Sequence, residues 1–166
     1  DHLFSDNLYS FRAGRSVKDA IRDLRRVKNI DGMWSYKADI SNYFNSIPVT
    51  QLLPVLESTL REEPVLLQFL TNLLTNPYVT EQGKIIEDPQ KGLMAGTPVS
   101  TFLANLYLAD LDAYFSENHR IYARYSDDMI LFSSTKEDLE KEIIYIRNHL
   151  KSKGLDMNPD KQTVTA

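Results

Sequence analysis

The sequence has no cysteine among its 166 residues, so disulfides and thiolate metal sites are excluded. That absence fits a reducing compartment, and a cytoplasmic location is the expectation. Histidine is scarce too. His2, His119 and His149 are scattered without ligand spacing, which speaks against a zinc site. No apolar run approaches the ~20 residues that cross a bilayer. No signal peptide is visible at the start, and no membrane partner is expected. What remains is an ordinary globular composition, 42% hydrophobic and 25% charged, in a length that suits one domain with a real core. The chain starts at Asp1 without methionine and stops in strand-like sequence at Ala166, as a piece cut from a longer polypeptide would.

Basic residues are outnumbered 19 to 23, for a net charge of −4, which taken whole argues against a nucleic-acid partner. The distribution tells more than the sum. Residues 12–28 hold Arg12, Arg15, Lys18, Arg22, Arg25, Arg26 and Lys28 against Asp19 and Asp23, so this segment is +5 and the remainder −9. One end suits phosphates while another gathers carboxylates. A solvated helix face with paired charges reads the same way.

Patterning predicts an α+β domain, an antiparallel sheet backed by helices. Ser16 caps a helix reaching to about Lys28, with Val17, Ala20, Ile21, Leu24 and Val27 on one stripe. WSYKADI, 34–40, reads as a buried strand, with Trp34 in the core. Helices follow over about 49–60 and 64–75, then a loop with a short hairpin over 76–91. Thr97-Pro98 starts a long, heavily apolar helix to about 116. Strands 120–125 and 129–133 form a hairpin around Asp127 and Asp128. Thr135 with Asp138 resembles a capping box for a helix to about Ser152, which Gly154 ends before a last strand at 162–165.

The adjacent acids of YARYSDDMILF are the chemical signal. Like charges at close range repel, and a bound cation relieves that repulsion. Asp39 ends an apolar strand and is the candidate third carboxylate. Three such acids suit two divalent metals about 3.5–4 Å apart, the arrangement of nucleotidyl transfer. Taken alone, an Asp-Asp pair is also ordinary turn chemistry, and Asp39 would serve equally as a helix N-cap.

Five stretches in order, SFRAGRS, KADISNYFNSI, GLMAGTPVSTFLANLYLADLD, YARYSDDMILF and GLDMNPDKQTV, resemble the fingers-and-palm core of reverse transcriptases. The likeness is to bacterial ones related to group II intron maturases, or to an unclassified or defence-associated lineage. It implies a polymerase palm with an antiparallel ferredoxin-like sheet. About 1–33 would be a fingers segment and about 34–166 palm, with a finger-like insertion near 60–95; the thumb and upstream finger motifs would be absent. By position, Asp39, Asp127 and Asp128 are the catalytic acids, and Asp39, Asp127 and the Ile40 carbonyl hold Mg2+ or Mn2+, two ions arriving with dNTP. Phe44 resembles the steric gate against ribose. Arg12, Arg15, Ala95, Gly96 and Lys161 fall at the nucleotide, and Gly92 and Gly96 let backbone approach a base pair. Arg22, Arg25, Arg26 and Tyr125 face nucleic acid, while Asn105 supports the palm. The implied partners are an RNA template, a DNA or RNA primer, dNTPs and the rest of the parent polypeptide.

Met94 and Ala95 replace the usual Pro-Gln, Thr101 the second Pro, and Ser126 the commoner Ala before the acids. Alanine at 95 implies weaker checking of base-pair geometry. The implied activity is RNA-directed DNA synthesis. The alternatives are a silent palm that scaffolds RNA and a palm nucleotidyltransferase that needs no template.

Overall fold

A computed structural model describes residues 3–86, 90–93 and 97–166. The order of elements is α1 (Val17–Arg25), β1 (Trp34–Asp39), α2 (Tyr43–Ser46), α3 (Val49–Thr59), α4 (Pro64–Thr75), β2 (Tyr78–Val79), β3 (Ile85–Ile86), α5 (Pro98–Tyr107), α6 (Ala109–Glu117), β4 (Ile121–Tyr125), β5 (Asp128–Ser133), α7 (Lys136–Ser152) and β6 (Thr163–Thr165). Four strands make an antiparallel sheet in the order β6-β1-β5-β4, and β2 and β3 form a separate small hairpin. With helices between β1 and β4 and again between β5 and β6, this is the expected ferredoxin-like arrangement.

Alternation along the strands creates two unlike faces. Tyr36, Ala38, Met129, Leu131, Tyr122 and Arg124 are buried on one face, within the core that α3 and α5–α7 complete. Phe115 of α6 stacks on Tyr122 of β4 at 4.4 Å between ring centres, a contact worth about 0.5–1.5 kcal/mol beyond burial. The other face carries Lys37, Asp39, Asp128, Ile130, Ala123 and Tyr125. The helix α1, which has no buried residue, lies along it beside a mostly apolar groove of about 290 Å3 next to Asp128.

Local signals explain most boundaries. Ser16, Thr97 and Thr135 each accept a backbone N–H as helix N-caps. Gly154 ends α7 at φ 70, with Leu155 N–H donating to the Leu150 carbonyl and Gly154 N–H to that of Lys151.

Three expectations need correction. The helix after Ser16 stops at Arg25, and Ile30–Gly32 forms a single 3-10 turn. Trp34 is only half-buried, packed against the core with the Lys136 ammonium 5.6 Å from its ring. The long helix from 98 is broken at Leu108. A break frees a carbonyl, and Lys153 Nζ donates to the Tyr107 carbonyl at 3.0 Å, while Asp110 Oδ1 accepts the Leu111 N–H. The buried surroundings of Leu108 thus supply what an isolated helix would lack.

Candidate active site

Tyr125 pairs with Asp128, so the β4–β5 connection is the two residues Ser126 and Asp127. Ser126 has φ 58, a positive value at the first central position only, as in the II′ turns that suit twisted hairpins. Asp39 pairs with Asp128 across β1 and β5. Paired residues project to one face, and like charges there are destabilising unless countered. Cations counter them: Lys161 Nζ lies 3.1 Å from Asp39 Oδ2, and Lys37 Nζ 3.9 Å from Asp128 Oδ1. Asn158 Nδ2 donates to Asp39 Oδ1 at 3.3 Å. The Lys161 ammonium is raised above its ordinary pKa, first by its hydrogen bond to Asp39, then by that residue's charge, and further by Asp127 and Asp128. Of the three acids, Lys161 thus contacts Asp39 alone, while Asp128 has Lys37 beside it. Backbone bonds lace the segments together: Ile40 N–H donates to the Asp127 carbonyl at 3.1 Å, and Asn158 N–H to that of Asp39 at 2.8 Å.

The donors are hard oxygens, as Mg2+ or Mn2+ requires. Among the described residues no group of three acids or histidines is close enough to cage an ion unaided. Magnesium is commonly held by one or two carboxylates with substrate phosphates and water completing the shell. The side chains present fit that second kind of site, with Lys161 and Lys37 supplying countercharge meanwhile.

The remaining candidates are spread over two flanks. Phe44, in α2, is half-buried edge-on to Tyr43, and its carbonyl accepts the Leu93 N–H. Gly92, at φ 102, packs on the Asn45 backbone, where a Cβ would meet the carbonyl oxygen at 3.5 Å. Ala95 and Gly96 lie outside the described residues. Arg12 donates to the Ser5 and Leu8 carbonyls, and Arg15 pairs with Asp6 at 2.6 Å, so both also organise the N-terminal loop. Tyr125 is half-buried near Phe11, with ring centres 6.3 Å apart. Arg22 and Arg25 on α1 and Arg26 at its C-cap are exposed, Arg22 and Arg26 beside Asp19 or Asp23.

Residues 2–166 match the family described as reverse transcriptase (RNA-dependent DNA polymerase). The chain belongs to the reverse transcriptase family. It is 34% identical over 116 residues to an uncharacterized 91 kDa protein in the cob intron of Schizosaccharomyces pombe, covering 68% of this chain and 13% of that protein. Its fold is similar to telomerase from Candida tropicalis, with a TM-score of 0.74 and 14% identity over 96% of this chain and 30% of that one. A telomerase from Candida albicans gives 0.72 and 13%, covering 96% and 32%. The chain thus spans under two thirds of the length of each. These relatives are fungal, and none speaks for the expected bacterial lineage.

Sequence reasoning missed a buried polar group behind the reverse transcriptase turn. Arg124, in β4, is fully buried and grips Asp112 of α6 through Nε at 2.9 Å and Nη2 at 2.6 Å. Burial opposes its charge, but Asp112 outweighs burial and its pKa is raised. The signal was present: Arg124 shares the inward register of Tyr122, and a charge at an inward position demands a partner. Asn158 and Lys37, which touch two of the acids, were missed as well. Asn105 supports the site by hydrogen bonding, as expected.

Proposed function

We propose that this chain is the catalytic core of an RNA-directed DNA polymerase, extending a DNA or RNA primer with dNTPs at the Asp39–Asp127–Asp128 end of the sheet. The observation that carries the reading is the register that sets Asp39 opposite Asp128, with Asp127 in the adjoining turn and its carbonyl bonded to Ile40, at one sheet end in a chain of the reverse transcriptase family. Asp39, Asp127 and the Ile40 carbonyl would hold two Mg2+ or Mn2+ ions. When bound with dNTP, such ions lower the pKa of the primer hydroxyl and offset charge on the leaving pyrophosphate. Asn158 fixes one oxygen of Asp39, while Lys161, exposed along most of its length, swings from the other toward phosphate. Phe44 crowds the sugar, and Arg12 and Arg15 meet the triphosphate once they leave their loop partners. The open face, with Tyr125 and the arginines of α1, receives the template–primer duplex. Residues 1–33 would act as part of the fingers and 34–166 as palm. The 34% identity to a protein in the cob intron supports an intron-associated reverse transcriptase.

The test is primer extension on an RNA template by the polymerising form of the protein. Asp127→Asn should lower DNA synthesis by orders of magnitude. Undiminished synthesis would reject the catalytic assignment.

A further inference from the structure

Ser126 sits in the left-handed region at φ 58 without being glycine, a conformation that costs about 1–2 kcal/mol and persists only where the surroundings over-determine it. Here a closed ring of hydrogen bonds grips its backbone from both sides. Its N–H donates to Ser10 Oγ at 2.8 Å, and its carbonyl accepts from Arg124 Nη1 at 3.0 Å. Ser10 Oγ donates in turn to Asn105 Oδ1 at 3.1 Å, and Arg124 Nη2 donates to the Asn105 carbonyl at 3.2 Å, which closes the ring. Asn105 Nδ2 donates back to the Ser10 carbonyl at 2.9 Å. Ser10 and Arg124 are inaccessible to solvent, and Asn105 nearly so.

We infer that Ser10 and Arg124 are positioning residues that aim the Asp127 carboxylate through the ring they close around Ser126. The inference rests on Asp127 being a metal-binding acid, as proposed above. Stability alone does not account for the ring, because well-packed apolar side chains often replace a buried ion pair at no cost. What apolar groups cannot do is hold both the N–H and the carbonyl of the residue before Asp127. Removing either grip leaves a strained turn with a choice of conformations. The same contacts fix distances across the site. Ser10 leads directly into the loop of Arg12 and Arg15, and residues 7–9 lie along β4, with Arg124 N–H donating to the Asn7 carbonyl and Tyr9 N–H to that of Arg124. From Asp127 the linkage continues through its carbonyl to Ile40, beside Asp39. The N-terminal loop, the acid turn and the end of β1 are thus held as one unit.

The test is titration of the isotope-labelled chain with Mn2+, read as paramagnetic broadening of the backbone amides of residues 39–40 and 126–128. Partners of metal ligands typically contribute tenfold or more to metal affinity. Ser10→Ala should therefore raise the Mn2+ concentration at half-broadening about tenfold while the urea midpoint shows the chain still folded. Should Ser10→Ala alone fold poorly, the double variant Ser10→Ala, Ser126→Gly removes the cost of the positive φ and should keep the shift. Asp127→Asn serves as control. If Asp127→Asn weakens Mn2+ binding but neither Ser10 variant does, the positioning role is overturned and the metal site stands. If Asp127→Asn leaves broadening unchanged, the metal assignment fails and takes the positioning role with it.

Discussion

Asp112→Ala is the perturbation whose cost is set most directly by the geometry. Asp112 and Arg124 are paired at 2.6 Å with side chains 1% and 0% exposed. The substitution leaves a guanidinium that water cannot reach, still bonded to the Ser126 and Asn105 carbonyls but without a countercharge. It also strips the Tyr122 hydroxyl of the acceptor it holds at 3.2 Å. Breaking a buried pair from one side costs about 3–5 kcal/mol, whereas an exposed pair such as Arg22–Asp19 is worth about 0–1 kcal/mol. Domains of this size are stable by only ~5–15 kcal/mol. At about 2–4 °C per kcal/mol, the melting temperature should fall by about 6–20 °C. Urea unfolding followed by circular dichroism, with calorimetry in parallel, measures both quantities. Asp112→Ala with Arg124→Met removes both charges and should cost less than the sum of the two single changes. A loss under about 1 kcal/mol for Asp112→Ala, or strict additivity in the double variant, would refute a desolvated pair as the anchor of the turn.

Two further outcomes follow from the packing of α7. Burial raises the Asp110 pKa, but the His149 imidazole at 3.3 Å and the Lys153 ammonium at 2.7 Å outweigh it and bring the carboxyl from 3.8 to about 2. Because the folded value is depressed, the contribution is present above the unfolded value and is lost as pH falls through about 2. Asp110→Asn should therefore flatten the stability profile between about pH 4 and pH 2, and an unchanged acid limb in urea melts would remove the His149–Lys153–Asp110 contact from the account. Gly154→Ala places a Cβ 2.8 Å from Pro48 Cγ at a φ of +70. It should cost at least ~1–2 kcal/mol in the same melts, and a neutral result would mean that the end of α7 relaxes freely.

Much of this fold could be read along the chain because its signals are local. Ser16, Thr97 and Thr135 cap helices through their own side chains a few residues ahead, and Gly154 alone accepts the backbone angle that ends α7. The acid hairpin and the ends of α3 and α4 needed nothing beyond periodicity and turn chemistry. The order of motifs likewise pointed to the reverse transcriptase family and to Asp39, Asp127 and Asp128. The short α2 was not legible because four residues are too few to show a helical period, and the break at Leu108 was not because no proline or glycine marks it and the distant Lys153 Nζ satisfies the freed carbonyl.

What only the tertiary structure decided is how the acids are held. Ser10 and Ser126 are 116 residues apart, and Asp39 and Lys161 are 122 apart. Ser10 opens the SFRAGRS stretch, but nothing along the chain tells that its hydroxyl meets Ser126, and Arg12 and Arg15 give no sign of their partners until the loop folds back on them. Local sequence determines which residues bend, cap and alternate, because those choices depend on backbone angles and near neighbours. Which buried donor meets which acceptor depends on how the sheet and helices close over each other, and that pairing exists only in the folded chain.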